Sequence, residues 1–148
     1  MAGPARVIDG DSLRVAGHEI RLAGIDAPEL HQTCRRAGQP YACGLEARAA
    51  LLRLTRDGAV TCDLVGHDRY GRDLARCAAG GRDIGAWLVG HGFAVAYGGY
   101  ADEEEQARRA GAGLWAGSFD LPSDWRKAHP RAHGHADTGR WLGRWPDR

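Results

Sequence analysis

The stretch from Ala59 to Ala78 constrains this chain more than any other. It reads as two arms, Ala59-Val60-Thr61-Cys62-Asp63-Leu64-Val65 and Asp73-Leu74-Ala75-Arg76-Cys77, around a turn between Asp68 and Gly71. One symmetric register sets Cys62 opposite Cys77, Asp63 opposite Arg76, Leu64 opposite Ala75 and Val65 opposite Leu74. Charge then meets charge and apolar meets apolar, which is how cross-strand pairs stabilise a ladder. In that register the two sulfurs lie on one face at bonding distance. A hairpin of this kind at mid-chain calls for a sheet around it.

The N-terminal residues supply further strands. Ala5-Arg6-Val7-Ile8 leads into the turn-prone Asp9-Gly10-Asp11, Leu13-Arg14-Val15 alternates, Ala16-Gly17-His18 turns, and Glu19-Ile20-Arg21-Leu22 alternates again. The two-residue period puts Ile20 and Leu22 toward a core and Glu19 and Arg21 on the other face, so Arg21 is expected to project away from the core. Residues 40–56 read as a helix, with Pro40 near its start, Leu45, Ala49 and Leu52 at helical spacing, and Asp57-Gly58 at its end. A second helix spans 83–91, with Ile84, Trp87 and Leu88 on one stripe and Gly92 beyond it. Phe93 to Tyr97 is a short apolar run. A third helix, 101–110, carries its acids first and its arginines last, as the helix dipole prefers. This order predicts an α+β, mainly β fold: a five-stranded OB-fold barrel with three helices, an architecture that often binds nucleic acid.

At 148 residues the chain is the size of one domain. We place that domain at 1–127 and a flexible basic tail, rich in Gly, Pro and His, at 128–148. The longest apolar stretches, such as Ala47 to Leu54, are interrupted by Arg48 and Arg53, and none approaches the ~18 residues that span a membrane. Net charge is only +1, so a nucleic-acid partner needs a local basic site rather than bulk charge. The charge is uneven. From residue 126 onward Arg126, Lys127, Arg131, Arg140, Arg144 and Arg148 face only Asp137 and Asp147, which leaves the body acidic. In the tail, Arg140 and Arg144 beside Trp141 and Trp145 have the makings of a strand grip, though a solubilising role is the commoner use of such a segment.

The four cysteines, Cys34, Cys43, Cys62 and Cys77, allow three full pairings, and buried free thiols are a further alternative. The hairpin register favours Cys62 with Cys77, leaving Cys34 and Cys43 to staple a short polar loop. Their spacing is not that of a zinc site. Disulfides call for a periplasmic or secreted setting, whereas Met1 to Pro4 is too short for a secretory signal. The compartment therefore stays open.

Three clusters carry chemistry: Asp9-Gly10-Asp11-Ser12, Arg21-Leu22-Ala23-Gly24-Ile25-Asp26-Ala27-Pro28-Glu29, and Asp68-Arg69-Tyr70-Gly71-Arg72. Taken singly, each is an ordinary turn or strand exit. Together they offer three carboxylates, Asp11, Asp26 and Glu29, and two arginines, Arg21 and Arg72, to one barrel face. Hard oxygens suit Ca²⁺ or Mg²⁺, and guanidinium forks suit phosphate. Preplaced cations are what a phosphodiester transition state requires as it gains negative charge. In this order, with Gly113-Leu114-Trp115 after the third helix, the clusters resemble the staphylococcal nuclease (thermonuclease) family over about residues 5–118. Ser123-Asp124-Trp125-Arg126-Lys127 resembles the C-terminal extension of its cysteine-containing bacterial branch.

The resemblance implies a calcium-dependent endonuclease that hydrolyses DNA or RNA to 3′-phosphate ends and works as a monomer. It implies Ca²⁺ on the carboxylates of Asp11 and Asp26 and the backbone carbonyl of Ala27. Arg21 and Arg72 would bind the scissile phosphate, and Glu29 would orient or deprotonate the attacking water. Tyr70 and Tyr97 match positions that contact the nucleotide, and Arg69 joins them as a substrate-binding candidate. Ala27 stands where the family usually has threonine, Ser12 replaces another threonine, and the Cys34–Cys43 loop differs from the staphylococcal form. The segment Ala94 to Tyr100 is one residue shorter, which leaves Tyr100 without a secure match. The competing readings are a non-catalytic OB-fold domain that binds nucleic acid, and a protein-interaction module in which these charges are surface.

Overall fold

A computed structural model describes residues 1–130 of the chain. The predicted tail, with Arg140, Trp141, Arg144 and Trp145, lies from residue 131 on outside the described residues.

Strands β1 (Ala2–Gly3), β2 (Ala5–Asp9), β3 (Ser12–Val15) and β4 (His18–Leu22) open the chain, followed by the two-residue β5 (Ile25–Asp26) and the small hairpin β6 (Cys34–Arg36) and β7 (Gln39–Tyr41). Helix α1 (Cys43–Thr55) leads into the long hairpin β8 (Val60–His67) and β9 (Asp73–Ala79). Then come β10 (Arg82–Asp83), α2 (Ile84–Gly90), β11 (Val95–Ala96), α3 (Ala101–Ala110), a 3₁₀ turn at Gly113–Ala116 and α4 (Pro122–Ala128). The five longest strands lie in the order β8-β9-β4-β3-β2. The step from β4 to β9 is parallel and every other step antiparallel, an OB-like arrangement of mixed α+β class. The class is as expected; the helix count differs, because α4 adds a fourth.

The hairpin carries the expected register at Cys62–Cys77, Asp63–Arg76 and Leu64–Ala75. Beyond that it departs from expectation. A bulge inserts Val65, and Gly66 rather than Val65 faces Leu74. The extra residue twists the strand outward, which leaves Leu64 and Val65 exposed. Helix α1 begins at Cys43, later than the expected start near Pro40, because Gln39–Tyr41 pairs back onto Cys34–Arg36. Proline is tolerated on such a short edge strand.

The core joins Leu13, Val15, Ile20 and Leu22 of the sheet to Ala47, Ala50 and Leu51 of α1 and Ile84, Leu88 and Val89 of α2. A smaller cluster of Cys34, Cys43, Val95 and Leu114, flanked by Tyr41, Trp115, Phe119 and Leu121, packs the β6–β7 loop against the C-terminal segment. Both disulfides are formed, Cys34–Cys43 and Cys62–Cys77. The second closes a 15-residue separation, for which loop entropy gives a stabilisation of about 3 kcal/mol. Among the described residues no helix is long and apolar enough to cross a membrane.

Candidate active site

The site begins at the turn between β2 and β3. Asp9 Oδ1 accepts from the Ser12 hydroxyl at 2.6 Å and from the Asp11 amide at 3.3 Å, a side-chain-closed turn of the kind aspartate favours. That turn aims the Asp11 carboxylate inward, where its Oδ2 accepts from the Ala27 amide at 2.8 Å. One hydrogen bond thus ties the first motif to the second. The Ala27 methyl lies in the core with Ala47.

Arg21 lies on the face that strand alternation gives it, but that face is not open. The residue does not project to solvent but is 2% exposed. Its face of β4 is covered by the chain that leaves the strand. Arg21 Nη1 donates to the carbonyls of Leu22 and Ile25, both at 2.9 Å, and stands 3.4 Å from Asp11 Oδ2. Its Nη2 donates to Asp26 Oδ1 at 3.3 Å. Arg21 therefore braces the two carboxylates expected to hold metal.

Glu29 sits on the turn after β5. Its amide donates to Gln32 Oε1 at 3.0 Å. Gly44, in the first turn of α1, packs so closely on this turn that a Cβ there would run into the Glu29 and Leu30 carbonyls. Only glycine allows that approach. The cluster holds an excess of acid in little water. Burial, then Asp9 and Asp26, push Asp11 up to about 7 against the pull of Arg21. Burial, then Asp11 and Asp26, likewise push Glu29 up to about 7 against the pull of Arg126. Burial disfavours the charged form and neighbouring carboxylates add to it.

Arg72 reaches the same side of the sheet. Asp68 organises its turn, accepting from the amides of Tyr70 and Arg72 and from Arg72 Nε, each at 2.8 Å. Arg72 Nη1 also lies 3.8 Å from Glu19. Glu19 and Arg21 alternate to one face of β4, so Arg72 stands on the face that carries Arg21. Tyr70 is half-buried in that turn and Arg69 is exposed. The Tyr97 amide donates to the Gly24 carbonyl at 2.8 Å. This extends the β5–β11 pairing, in which Val95 faces Asp26.

One residue was missed by sequence reasoning. Arg126, on α4, is 6% exposed. Its Nη1 lies 2.9 Å from Glu29 Oε2 and 3.3 Å from Asp26 Oδ1, and its Nη2 lies 3.5 Å from Asp26 Oδ2. Burial alone would weaken its hold on its proton; Asp26 and Glu29 reverse this and raise its pKa above the ordinary arginine range. The sequence offered Arg126 as one of several basic residues near the C-terminus and as part of the Ser123–Lys127 segment, with no role in the site. Its partners lie 100 and 97 positions away, and no local pattern reports such a contact.

The donor set fits a hard divalent cation. Asp11 and Asp26 present buried oxygens, and the raised values of Asp11 and Glu29 mark a place short of positive charge. Among the described residues no group of three or more His, Cys, Asp or Glu stands together so as to hold a metal ion by itself. A cation here would rest on two carboxylates with carbonyl and water ligands, which Ca²⁺ and Mg²⁺ accept.

Comparison with known proteins agrees with this geometry. Residues 19–117, well over half of the chain, match the family described as staphylococcal nuclease homologue. The chain belongs to that family. The succinoglycan biosynthesis protein ExoI of Rhizobium meliloti is 40% identical over 121 residues, covering 76% of this chain and 63% of that protein. A probable staphylococcal-like nuclease of Oryza sativa is 33% identical over 136 residues, 87% of this chain and 26% of its own length. An uncharacterized endonuclease of Haemophilus influenzae is 33% identical over 134 residues, 82% of this chain and 70% of its own. This chain thus spans under two thirds of the rhizobial and rice relatives. Within the nuclease-homologue family, its two disulfides fit the cysteine-containing branch. The family match takes in Arg21, Asp26, Glu29 and Arg72 and stops short of Asp11 and Arg126.

Proposed function

We propose that the chain is a calcium-dependent nuclease that hydrolyses phosphodiester bonds of DNA or RNA and leaves 3′-phosphate ends. The carrying observation is the buried meeting of Asp11, Arg21 and Asp26, with the part-buried Glu29 linked to Asp26 through Arg126. Asp11 and Asp26, with the Ala27 carbonyl, would hold the cation. Bound there, it supplies positive charge against the negative charge of the transition state.

Every other part falls to the chain itself. Glu29, held near neutral pH by its burial, suits a general base, because such a group works best with a pKa near the operating pH. It takes a proton from water as the water oxygen bonds to phosphorus. The bond from phosphorus to the 5′ oxygen breaks, that oxygen takes a proton from solvent and leaves as a hydroxyl, and Glu29 gives its proton back to solvent. Arg21 keeps the carboxylates in register, and Arg72 offers a guanidinium to the phosphate on the same face of β4. Tyr70, Tyr97 and Arg69 would meet the neighbouring nucleotides. The two disulfides support a periplasmic or extracellular setting.

The test is cleavage of single-stranded DNA by the purified protein with Ca²⁺, then with EDTA, beside Arg72→Ala. Cutting that needs Ca²⁺ and disappears in Arg72→Ala supports the proposal. Binding without cutting would replace it with a binding domain on the same barrel.

A further inference from the structure

The C-terminal segment clasps the Glu29 turn at three places. Ser118 and Arg35 exchange backbone hydrogen bonds at 2.9 and 3.0 Å. Gln32, 1% exposed, donates its side-chain amide to the Asp120 carbonyl at 2.9 Å while its Oε1 holds the Glu29 amide. Arg126 then closes the clasp by gripping the Glu29 carboxylate at 2.9 Å. The Cys34–Cys43 disulfide anchors the clasped loop to the start of α1. Trp125 is buried beside Arg126 and stacks on His129, so the helix that aims the guanidinium is itself packed.

From this we infer that Arg126 is a positioning residue of the active site, fixing the Glu29 carboxylate and sharing Asp26 with the bound cation. The inference rests on the nuclease reading for what Glu29 does. Both oxygens of Asp26 lie within reach of the Arg126 fork, and planar bidentate geometry is what arginine supplies and lysine does not. Two consequences of opposite sign follow. Without Arg126, Glu29 loses its fixed rotamer, and misplacement of a catalytic group by about 1 Å can cost ~10²-fold in rate. Without Arg126, Asp26 also loses a competing positive charge, so Ca²⁺ should bind more tightly. A residue that merely held the fold together would weaken both.

The experiment is a double-mutant cycle of Arg126→Gln and Glu29→Gln on the full chain, read by kcat and KM on single-stranded DNA and by calorimetric titration with Ca²⁺. Arg126→Gln should lower kcat roughly 10- to 100-fold with KM little changed, and add almost nothing to Glu29→Gln, since residues acting through one group are not additive. Its Ca²⁺ affinity should rise by roughly tenfold, as loss of one nearby positive charge predicts. Arg126→Lys should fall between parent and Arg126→Gln in kcat, and it stands in for Arg126→Gln if that variant does not fold. A parental kcat in Arg126→Gln, a full additive loss on top of Glu29→Gln, or weaker Ca²⁺ binding would each overturn the inference. A parent that cuts nothing would defeat the nuclease reading instead. The calcium arm still decides the Asp26 part in that case.

Discussion

Two arginines reach the same carboxylate from regions of opposite character. Arg21 comes from a central strand between β3 and β9, five residues before Asp26, and is locked by two backbone carbonyls. Arg126 comes from a seven-residue helix 100 positions after Asp26 and is tied to the carboxylates of Asp26 and Glu29. The first is bound into the sheet; the second depends on a clasp of three contacts. The difference separates two duties. Arg21 lets a pair of carboxylates exist inside the barrel end, and Arg126 sets how the third carboxylate is presented. Buried charges of this kind cost more when one partner is removed than the pair contributes when intact.

The largest expected effect is on stability. Arg21→Ala leaves Asp11 and Asp26 buried without their common cation and should cost about 3–5 kcal/mol in urea unfolding at neutral pH. Arg126→Gln should cost clearly less, because Asp26 keeps Arg21. Equal losses would erase the distinction between the two regions.

Glu29→Gln comes next and acts on rate. Cleavage should fall by about 10²- to 10⁴-fold, the usual worth of a general base. The melting temperature at neutral pH should hold or rise, since burial makes the ionised carboxyl a cost to the fold. A variant as fast as the parent would remove Glu29 from the mechanism.

The two disulfides sharpen the same contrast. Replacing Cys62 and Cys77 together with alanine should cost about 2–4 kcal/mol and leave kcat near the parental value, since that bridge lies between β8 and β9. Replacing Cys34 and Cys43 should lower kcat at temperatures where the protein is still folded, because that bridge holds the loop clasped around Glu29. Melting curves and single-turnover rates on both pairs decide it.

A further effect is in pH. Asp11 and Glu29 titrate near 7 in the folded chain and near 4 when unfolded. Their contribution to stability is therefore fully present below about 4 and is lost as pH rises through about 7. In EDTA, unfolding free energy should fall across that window, and Asp11→Asn should flatten the fall. The cutting rate, which needs ionised Glu29, should rise across the upper part of the same window.

Much of the site was legible because its parts are local. The Asp9–Ser12 turn, the strand exit from Arg21 to Glu29 and the Asp68–Arg72 turn are each short runs whose residue types state their own chemistry, and the Cys62–Cys77 register follows from pairing like with like. What could not be read depends on contacts far apart in sequence. Alternation placed Arg21 on the face away from the core correctly, but nothing local said that the chain after β4 would fold back over that face and bury it. The bulge at Val65, which twists the strand outward, is announced by no turn residue. Arg126 looked like tail charge because Glu29 and Asp26 become its neighbours only after β6 pairs with Ser118 and α4 docks.

On the nuclease reading, the acidic cluster of Asp11 and Asp26 is a cation site. The direct test is calorimetric titration of Ca²⁺ into the metal-free protein at pH 7, repeated in buffers of different ionisation enthalpy. Carboxylates that titrate near 7 must shed protons to bind a metal. The account predicts one Ca²⁺ per chain with a measurable release of protons, both lost in Asp26→Asn. No binding, or binding that Asp26→Asn leaves intact, would contradict it.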